Sequence, residues 1–386
     1  MTSFTFNTAK SIVCEPGVIA RLGELALPLV GNHVLLVTDP GLIQAGLLEP
    51  VEQALKKAGI AVTLFRDTVA DPPEHLVLAA TDLAKETNVT GVIGFGGGSS
   101  LDIAKLAALL VTGTDRLDDI YGIGQVRGRR LPLIQIPTTA GTGSEVTPIS
   151  IITIGDGIKK GVVDPELLPD LALLDADLTL GLPAHVTAAT GIDAMVHAIE
   201  AYTSKNPNNN PLSRALAKEA LRLLGANIET AVFNGQDRQA RSDMLLGSLM
   251  AGQAFANSPV AAVHALAYPI GGFFHVPHGL SNALVLPHVL RFNAKVCAQS
   301  YVELAPWAFP SMDMSGSVAS LADRFISTLA RLSEKLGLET NLRQVGIAEP
   351  DLEKLAKEAM GQTRLLVNNP RDIQEVDALT IYRSAW

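Results

Sequence analysis

The chain of 386 residues predicts two domains, an α/β half first and an all-α half second. Three observations carry this. Short apolar runs alternate with amphipathic segments of helical length through the first half, helix-length segments dominate from about Leu182, and glycines and prolines punctuate the whole chain. Strand–helix alternation implies a mostly parallel sheet with helices on both faces, which is a frame for nucleotide binding.

The elements follow in order. Val34–Thr38 reads as a strand ending in Asp39-Pro40-Gly41, Leu47–Ala58 as an amphipathic helix, Ala61–Phe65 as a strand and Glu74–Glu86 as a helix. Val92–Phe95 is a strand, Leu101–Val111 a helix and Leu133–Ile136 a strand. Helices are then expected at Thr187–Tyr202, Leu212–Asn227, Gln239–Ala256, Ser317–Leu336 and Asp351–Ala359. Asn206–Pro211 is a loop, because Asn and Pro favour turns. The boundary falls near Leu180–Pro183, giving domains 1–181 and 182–386.

Composition excludes several classes. Lys and Arg number 30 against 39 Asp and Glu, a net charge of −9, so no basic surface suits a phosphate backbone and nucleic acid is not an expected partner. The densest cationic stretch, Arg127, Arg129 and Arg130, is short and reads as a solvated loop. Met1–Lys10 lacks the pattern of a secretory signal. The apolar stretches Leu106–Val111 and Ala261–Ala267 fall short of the ~20 residues of a membrane span. Two cysteines in no metal-type pair, Cys14 and Cys297, fit a reducing cytoplasm.

Gly94-Phe95-Gly96-Gly97-Gly98-Ser99-Ser100-Leu101-Asp102 follows a strand and opens a helix. Glycines let a ligand approach the backbone, Ser99 can cap the helix with Asp102 reaching back, and a pyrophosphate suits the amides at a helix N-terminus. A plain strand-to-helix turn is the competing account, and the run is not G-x-G-x-x-G. Pro137-Thr138-Thr139-Ala140-Gly141-Thr142-Gly143-Ser144-Glu145 supplies hydroxyls after another strand, again with a bland loop as the alternative. Asp39 can accept from both ribose hydroxyls of an adenosine and repel a 2′-phosphate, favouring NAD over NADP; a turn-forming Asp before Pro is the alternative.

Asp193 and His197 lie four apart on a predicted helix and so share a face. Alone they suit a surface pair as well as half a metal site. His264, in an apolar helix where an unpaired imidazole is costly, and His278, after the Gly271-Gly272 break, complete an Asp/His₃ set. Such a set with open positions suits Fe2+ or Zn2+ as a Lewis acid. His275 is the alternative to His278, which ranks first because Gly279 lets the backbone come close to the metal. His185 and His288 read as surface or boundary residues, and His33 and His75 have no partner in view.

Together these blocks resemble the iron-dependent, or group III, alcohol dehydrogenase family over essentially the whole chain. They run from Val37-Thr38-Asp39-Pro40 through GGGSSLD at 96–102, TTAGTGSE at 138–145, ATGIDAMVHAIEAY at 189–202 and VHALAYPIGGFFHVPHGLSNA at 263–283 to Asn369-Pro370-Arg371. The resemblance implies a dehydroquinate synthase-like architecture: an N-terminal α/β dinucleotide-binding domain, an all-α C-terminal metal-binding domain, and an active site in the cleft between. It implies metal ligands at Asp193, His197, His264 and His278, and cofactor contacts at Asp39, Gly96, Gly97, Gly98, Ser99, Thr138, Thr139 and Lys159, with Lys160 competing for the last role. It also implies a substrate pocket bordered by Phe255, Leu365 and Ile149, all apolar. Better-known members carry a second histidine four residues after the third ligand; here that place is Tyr268, a poor base at neutral pH that can at most relay a proton.

The implied reaction is NAD(H)-dependent interconversion of small primary alcohols and aldehydes by hydride transfer, in a cytoplasmic homodimer or larger homo-oligomer. The alternatives are a maleylacetate-type keto-acid reductase, a non-redox lyase like dehydroquinate synthase, and a non-catalytic binding protein that keeps the pocket.

Overall fold

A computed structural model describes residues 3–155 and 157–386. Met1 and Thr2, part of the N-terminal segment considered above, lie outside the described residues. The chain divides into two compact units, one spanning Asn7–Gly181 and one formed by Leu182–Trp386 with the first residues of the chain. Residues 3–6, expected in the first domain, thus group with the helical unit, where the Thr5 amide donates to Asn208 Oδ1 at 2.9 Å.

In the α/β unit the elements are β1 (Ile12–Cys14), α1 (Leu22–Val30), β2 (His33–Val37), α2 (Pro40–Gln44), α3 (Leu48–Lys57), β3 (Ala61–Phe65), α4 (Glu74–Glu86), β4 (Gly91–Gly96), α5 (Gly98–Leu110), β5 (Gly122–Ile123), β6 (Leu133–Pro137), β7 (Ile149–Ile154), β8 (Ile158–Val163) and β9 (Leu171–Leu174). Six strands form a parallel sheet in the order β1-β9-β6-β4-β2-β3. β5, β8 and β7 form a separate small sheet in which β7 and β8 are antiparallel.

β2 shows why its sequence is apolar without alternation. Leu35 and Val37 pack with Val77 and Ala80 of α4 and Leu106 of α5, while Val34 and Leu36 pack with Val30 of α1 and Val51 and Leu55 of α3. Successive side chains point to opposite faces, and both faces are covered, so every position from Val34 to Val37 is buried. From β2 the chain runs outward to β3 and then returns to β4 on the other side. The carboxyl ends of β2 and β4 therefore flank a topological switch point, where open α/β sheets bind ligands.

The helical unit contains α6 (Ala184–Thr203), α7 (Pro211–Phe233), α8 (Arg238–Asn257), α9 (Ala262–Phe274), α10 (His278–Ala308), α11 (Val318–Lys335), α12 (Asp351–Ala359), α13 (Thr363–Leu366) and α14 (Glu375–Ala385). α6 is the central helix, packed by α7, α8 and α10 and buried around most of its circumference. The Asn206–Pro211 loop is fixed by its own amides: Asn210 accepts from the Ser213 amide at 3.0 Å as N-cap of α7, and Asn209 Nδ2 reaches the Ser204 carbonyl at 3.0 Å. Asn369 and Asn293 exchange side-chain hydrogen bonds at 2.8 and 2.9 Å, which pins the Asn369-Pro370-Arg371 block to α10.

Among the described residues no helix is long and apolar enough to cross a membrane. Cys14 and Cys297 are free. Of the three clustered arginines, Arg129 pairs with Glu166 at 2.9 Å and Arg130 with Asp170 at 2.5 Å, so this stretch braces the α/β unit internally.

Candidate functional site

Asp193, His197, His264 and His278 each offer a ligand atom, and these atoms all lie within 4.8 Å of one another. Asp193 and His197 stand on adjacent turns of α6, His264 on the first turn of α9, and His278 opens α10. The first three are buried, and the His278 side chain is 37% exposed, so the cluster is reached from the His278 side. His264 Nε2 is 3.9 Å and His278 Nε2 3.8 Å from Asp193 Oδ1. The His197 ring is stacked between Phe255, at 4.4 Å between centroids, and His264, at 4.7 Å.

Burial pushes the Asp193 carboxyl up, but His197, His278 and His264 with the Asn282 amide outweigh it and hold the group below its ordinary value. Asn282 Nδ2 donates to Asp193 Oδ1 at 2.6 Å. His264 Nε2 is buried and has no hydrogen-bond partner. Leaving such an atom unsatisfied costs about 1–3 kcal/mol, and a divalent ion among three imidazoles and a carboxylate satisfies it. The residues fit an iron- or zinc-type ion.

The other histidines stand apart from this cluster. His275 is exposed and ends α9 in the left-handed conformation at φ 55°. His185 and His75 are exposed, and His33 bonds the Thr63 hydroxyl at 2.9 Å. His288 is half-buried on α10, with burial and then Arg291 lowering its pKa to about 4. Gly279 also has a packing task. Its missing Cβ lets α10 meet the backbone of α6 at Ala189.

Glu200 is the residue that spacing alone did not mark. Its carboxylate accepts from His264 Nδ1 at 2.6 Å and from the Ala261 and Val263 amides at 3.0 and 2.7 Å. The i, i+4, i+7 positions of Asp193, His197 and Glu200 on one helix face were the available signal. Tyr268 is 9% exposed, one turn beyond His264, with its ring 5.9 Å from that of His278. Phe255 touches the cluster through His197, while Leu365 is buried on α13.

In the α/β unit, Asp39, the glycine loop and the hydroxyl run follow β2, β4 and β6, three adjacent strands. Gly96 has φ 152°, and a Cβ there would stand 2.7 Å from Ser100 Oγ and 3.3 Å from Asp39 Oδ2. A Cβ on Gly98 would stand 2.9 Å from Thr142, and one on Gly97 3.7 Å from Thr139. The Thr138 amide donates to the Gly96 carbonyl at 3.0 Å. These glycines leave the backbone bare where the loop meets the threonines.

Two expectations are corrected here. α5 begins at Gly98 with Gly97 as N-cap and no side-chain cap, so Ser99 lies inside the first turn and does not cap it. Asp102 does not reach back: it accepts from Ser144 Oγ at 2.6 Å and from the Ile151 amide at 2.8 Å. The first-turn amides are thereby left uncapped by side chains, which strengthens the case for an anion there. Asp39 caps α2 through the Leu42 amide at 3.1 Å, so the turn-forming role is real and coexists with its place beside Gly96.

Lys105 was also unmarked. Fully buried, it donates to Ser144 Oγ at 2.7 Å, Thr147 Oγ1 at 3.2 Å and the Ile149 carbonyl at 2.6 Å, tying α5 to the hydroxyl loop and the start of β7. Lys159 is ion-paired with Asp71, and Lys160 lies over the Tyr121 ring at 4.9 Å.

Comparison with known proteins adds an independent line. A family profile described as iron-containing alcohol dehydrogenase matches residues 9–176, and one for the C-terminal part of Fe-containing alcohol dehydrogenases matches 187–386. Long-chain-alcohol dehydrogenase 1 of Geobacillus thermodenitrificans is 41% identical over 376 residues, covering 96% of this chain and 93% of its own. The NAD-dependent methanol dehydrogenase of Bacillus methanolicus is 34% identical, with both chains covered completely at 100%. A 1,3-propanediol oxidoreductase crystal structure superposes with a TM-score of 0.95 at 33% identity over 100% of both chains. Similarity of this extent, in sequence and in fold, has one source: the chain belongs to the iron-containing alcohol dehydrogenase family.

Proposed function

We propose that the protein interconverts small primary alcohols and aldehydes by hydride transfer, using NAD(H) and a divalent ion, Fe2+ or Zn2+, held by Asp193, His197, His264 and His278. The observation that carries this is the buried four-residue cluster with an unpartnered His264 Nε2. Membership of the family makes the protein an alcohol oxidoreductase, and relatives named for methanol, propanediol and long-chain alcohols support an alcohol substrate.

When bound, the ion supplies Lewis acidity that lowers the pKa of a hydroxyl group, and the nicotinamide supplies the hydride acceptor. The chain does the positioning. Asn282 orients the Asp193 carboxylate, and Phe255 holds the His197 ring by stacking. Phe255 also gives the cluster an apolar neighbour, which favours an aliphatic substrate over an acid. Leu365 is assigned to the same pocket, and Ile149, in the α/β unit, to the nicotinamide side.

The α/β unit is assigned the dinucleotide. Gly96, Gly97 and Gly98 with Ser99 receive the pyrophosphate at the uncapped start of α5, Thr138 and Thr139 line the nicotinamide side, and Asp39 takes the adenosine ribose. Lys159, ion-paired with Asp71, is assigned a further contact to the dinucleotide. The helical unit is assigned the metal and the substrate. Two free cysteines support a cytoplasmic setting, and we assign a homo-oligomeric state on the resemblance alone.

The test is NADH formation with short primary alcohols and diols, using protein reconstituted anaerobically with Fe2+ or Zn2+. Metal-dependent activity with NAD and little with NADP is expected. Silence with both metals, in protein that binds NAD, would redirect the assignment to keto-acid reduction or non-redox chemistry.

A further inference from the structure

Glu200 is 3% exposed and lies on the α6 face that carries Asp193 and His197. Its Oε1 accepts from the Val263 amide at 2.7 Å, and its Oε2 from the Ala261 amide at 3.0 Å and from His264 Nδ1 at 2.6 Å. α9 has no side-chain cap from its own N-cap residue, Ala261, so this carboxylate serves the start of the helix from outside. An ionised carboxylate has no hydrogen to give, so the imidazole must donate, and the proton sits on Nδ1. The other ring nitrogen, Nε2, is the buried atom without a hydrogen-bond partner, and it faces Asp193 Oδ1 at 3.9 Å.

We propose that Glu200 is a positioning residue for the metal centre. It selects the Nδ1-protonated form of His264 and anchors the first turn of α9, so that the Nε2 lone pair is aimed into the cluster before an ion arrives. The proposal rests on the assignment of the four-residue cluster as the metal site. Partners of this kind fix ring orientation and raise ligand basicity, and their loss typically weakens metal binding about 10–100-fold.

A role confined to helix capping makes a different prediction from a role in ligand selection. In Glu200→Gln the side chain keeps its shape and its oxygen still accepts a backbone amide. With the NH₂ group towards Nδ1, the ring proton is driven to Nε2 and the lone pair leaves the cluster. With the oxygen there, Nδ1 donates to a neutral acceptor in place of a carboxylate and Nε2 becomes a less basic ligand, so either orientation weakens metal binding. Capping alone would lower stability and leave metal affinity per folded molecule unchanged.

The experiment titrates chelator-stripped protein with Zn2+ against a competing chelator, and with Co2+ while recording its visible spectrum. Wild type, Glu200→Gln and His197→Ala are compared, with thermal unfolding of each apo form. Glu200→Gln is expected to bind Zn2+ about 10–100-fold more weakly and to change the Co2+ spectrum, with an apo form that still unfolds cooperatively. If His197→Ala keeps the ion at wild-type affinity, the metal-site assignment falls and this inference falls with it. If His197→Ala loses the ion while Glu200→Gln binds as wild type does, the inference alone is overturned. Imidazole nitrogen NMR of the wild-type apo protein decides the point even where the variant fails to fold. Nδ1 of His264 should carry a proton, and a neutral ring protonated only at Nε2 would refute the assignment.

Discussion

Gly279 lies directly against Ala189: a Cβ on Gly279 would stand 2.5 Å from the Ala189 carbonyl oxygen and 3.4 Å from the Asp193 Cβ. The first turn of α10 meets α6 backbone to backbone, and this contact sets His278 opposite Asp193. Gly279→Ala forces the helices apart, because a carbonyl in the middle of α6 cannot step aside as a flexible side chain would. Overpacking of this kind costs roughly 1–3 kcal/mol. We expect a lower urea midpoint and, with it, weaker Zn2+ binding. An alanine variant with wild-type metal affinity would show that His278 does not depend on this contact.

Removal of one cluster residue should separate chemistry from cofactor binding. His264→Ala is expected to reduce turnover to background while calorimetry still detects NAD binding, because the residues assigned to the dinucleotide belong to the other compact unit. Normal turnover in that variant with its metal intact would remove His264 from the ligand set.

Asp39 allows a clean test of cofactor choice. Asp39→Asn keeps an acceptor for the Leu42 amide and so keeps the α2 cap, but it deletes the charge that opposes a 2′-phosphate. The ratio of kcat/KM for NAD over NADP should fall at least about tenfold, the equivalent of about 1.4 kcal/mol, with little change in Tm. An unchanged ratio would leave Asp39 with only its capping role.

Tyr268 stands where better-known relatives place a histidine, one turn beyond His264 and with its ring 5.9 Å from that of His278. Tyr268→Phe retains the ring and deletes the hydroxyl. Since a phenol is a poor base at neutral pH, kcat should stay within about threefold of wild type and the pH–rate profile should keep its shape. A loss of a hundredfold, or a displaced profile, would identify the phenol as an obligatory relay.

The parts of the fold that were legible in sequence are those whose pattern has a single structural solution. The stretch from Val34 to Val37 and Gly91–Gly96 are apolar throughout because both sheet faces are covered, and Asp351–Ala359 is amphipathic because one face is exposed. α10 is not legible in the sequence, since Pro287 and Pro306 lie within it, Gly279 stands in its first turn, and Cys297 departs from helical geometry at φ −126°. Tertiary packing overrides each of these breakers. The β7–β8 ribbon is not legible in the sequence, because its antiparallel pairing, its pairing with β5 and its ties to Asp102 and Lys105 of α5 are all tertiary, and its alternation is broken by Lys159 and Lys160. At the candidate site, i, i+4 spacing brought out Asp193 and His197. Glu200 shares that helix face at i+7, but its role, like that of Lys105, becomes clear through partners 64 and 39 residues away.

Glu145 links the hydroxyl loop to pH. It is 1% exposed, and its Oε1 has no hydrogen-bond partner. Burial pushes its carboxyl up from an ordinary 4.5 to about 7, with Lys105 offsetting only part of the effect. A carboxyl that holds its proton more tightly in the folded state contributes stability that is complete below its unfolded pKa. That contribution is lost as pH rises towards the folded pKa, so the Glu145 contribution to folding stability should decline between pH 4.5 and about 7. The decline from this group amounts to up to about 3 kcal/mol. Asp170 runs the opposite way. Burial raises its pKa, but Arg130, Lys10 and the Leu133 amide together hold it to about 2, so its contribution is complete above 3.8 and is lost only at lower pH. The Asp170 window does not overlap this one. The contribution of His288, lowered from 6.5 to about 4, rises with pH across much of the same range, so the Glu145 contribution is read as the difference between wild type and Glu145→Gln. Glu145→Gln should flatten the stability profile between pH 4.5 and 7 and raise the urea midpoint at pH 8, where the wild type carries a buried charge. Equal slopes in the two proteins across that window would show that Glu145 titrates as an ordinary solvated carboxylate.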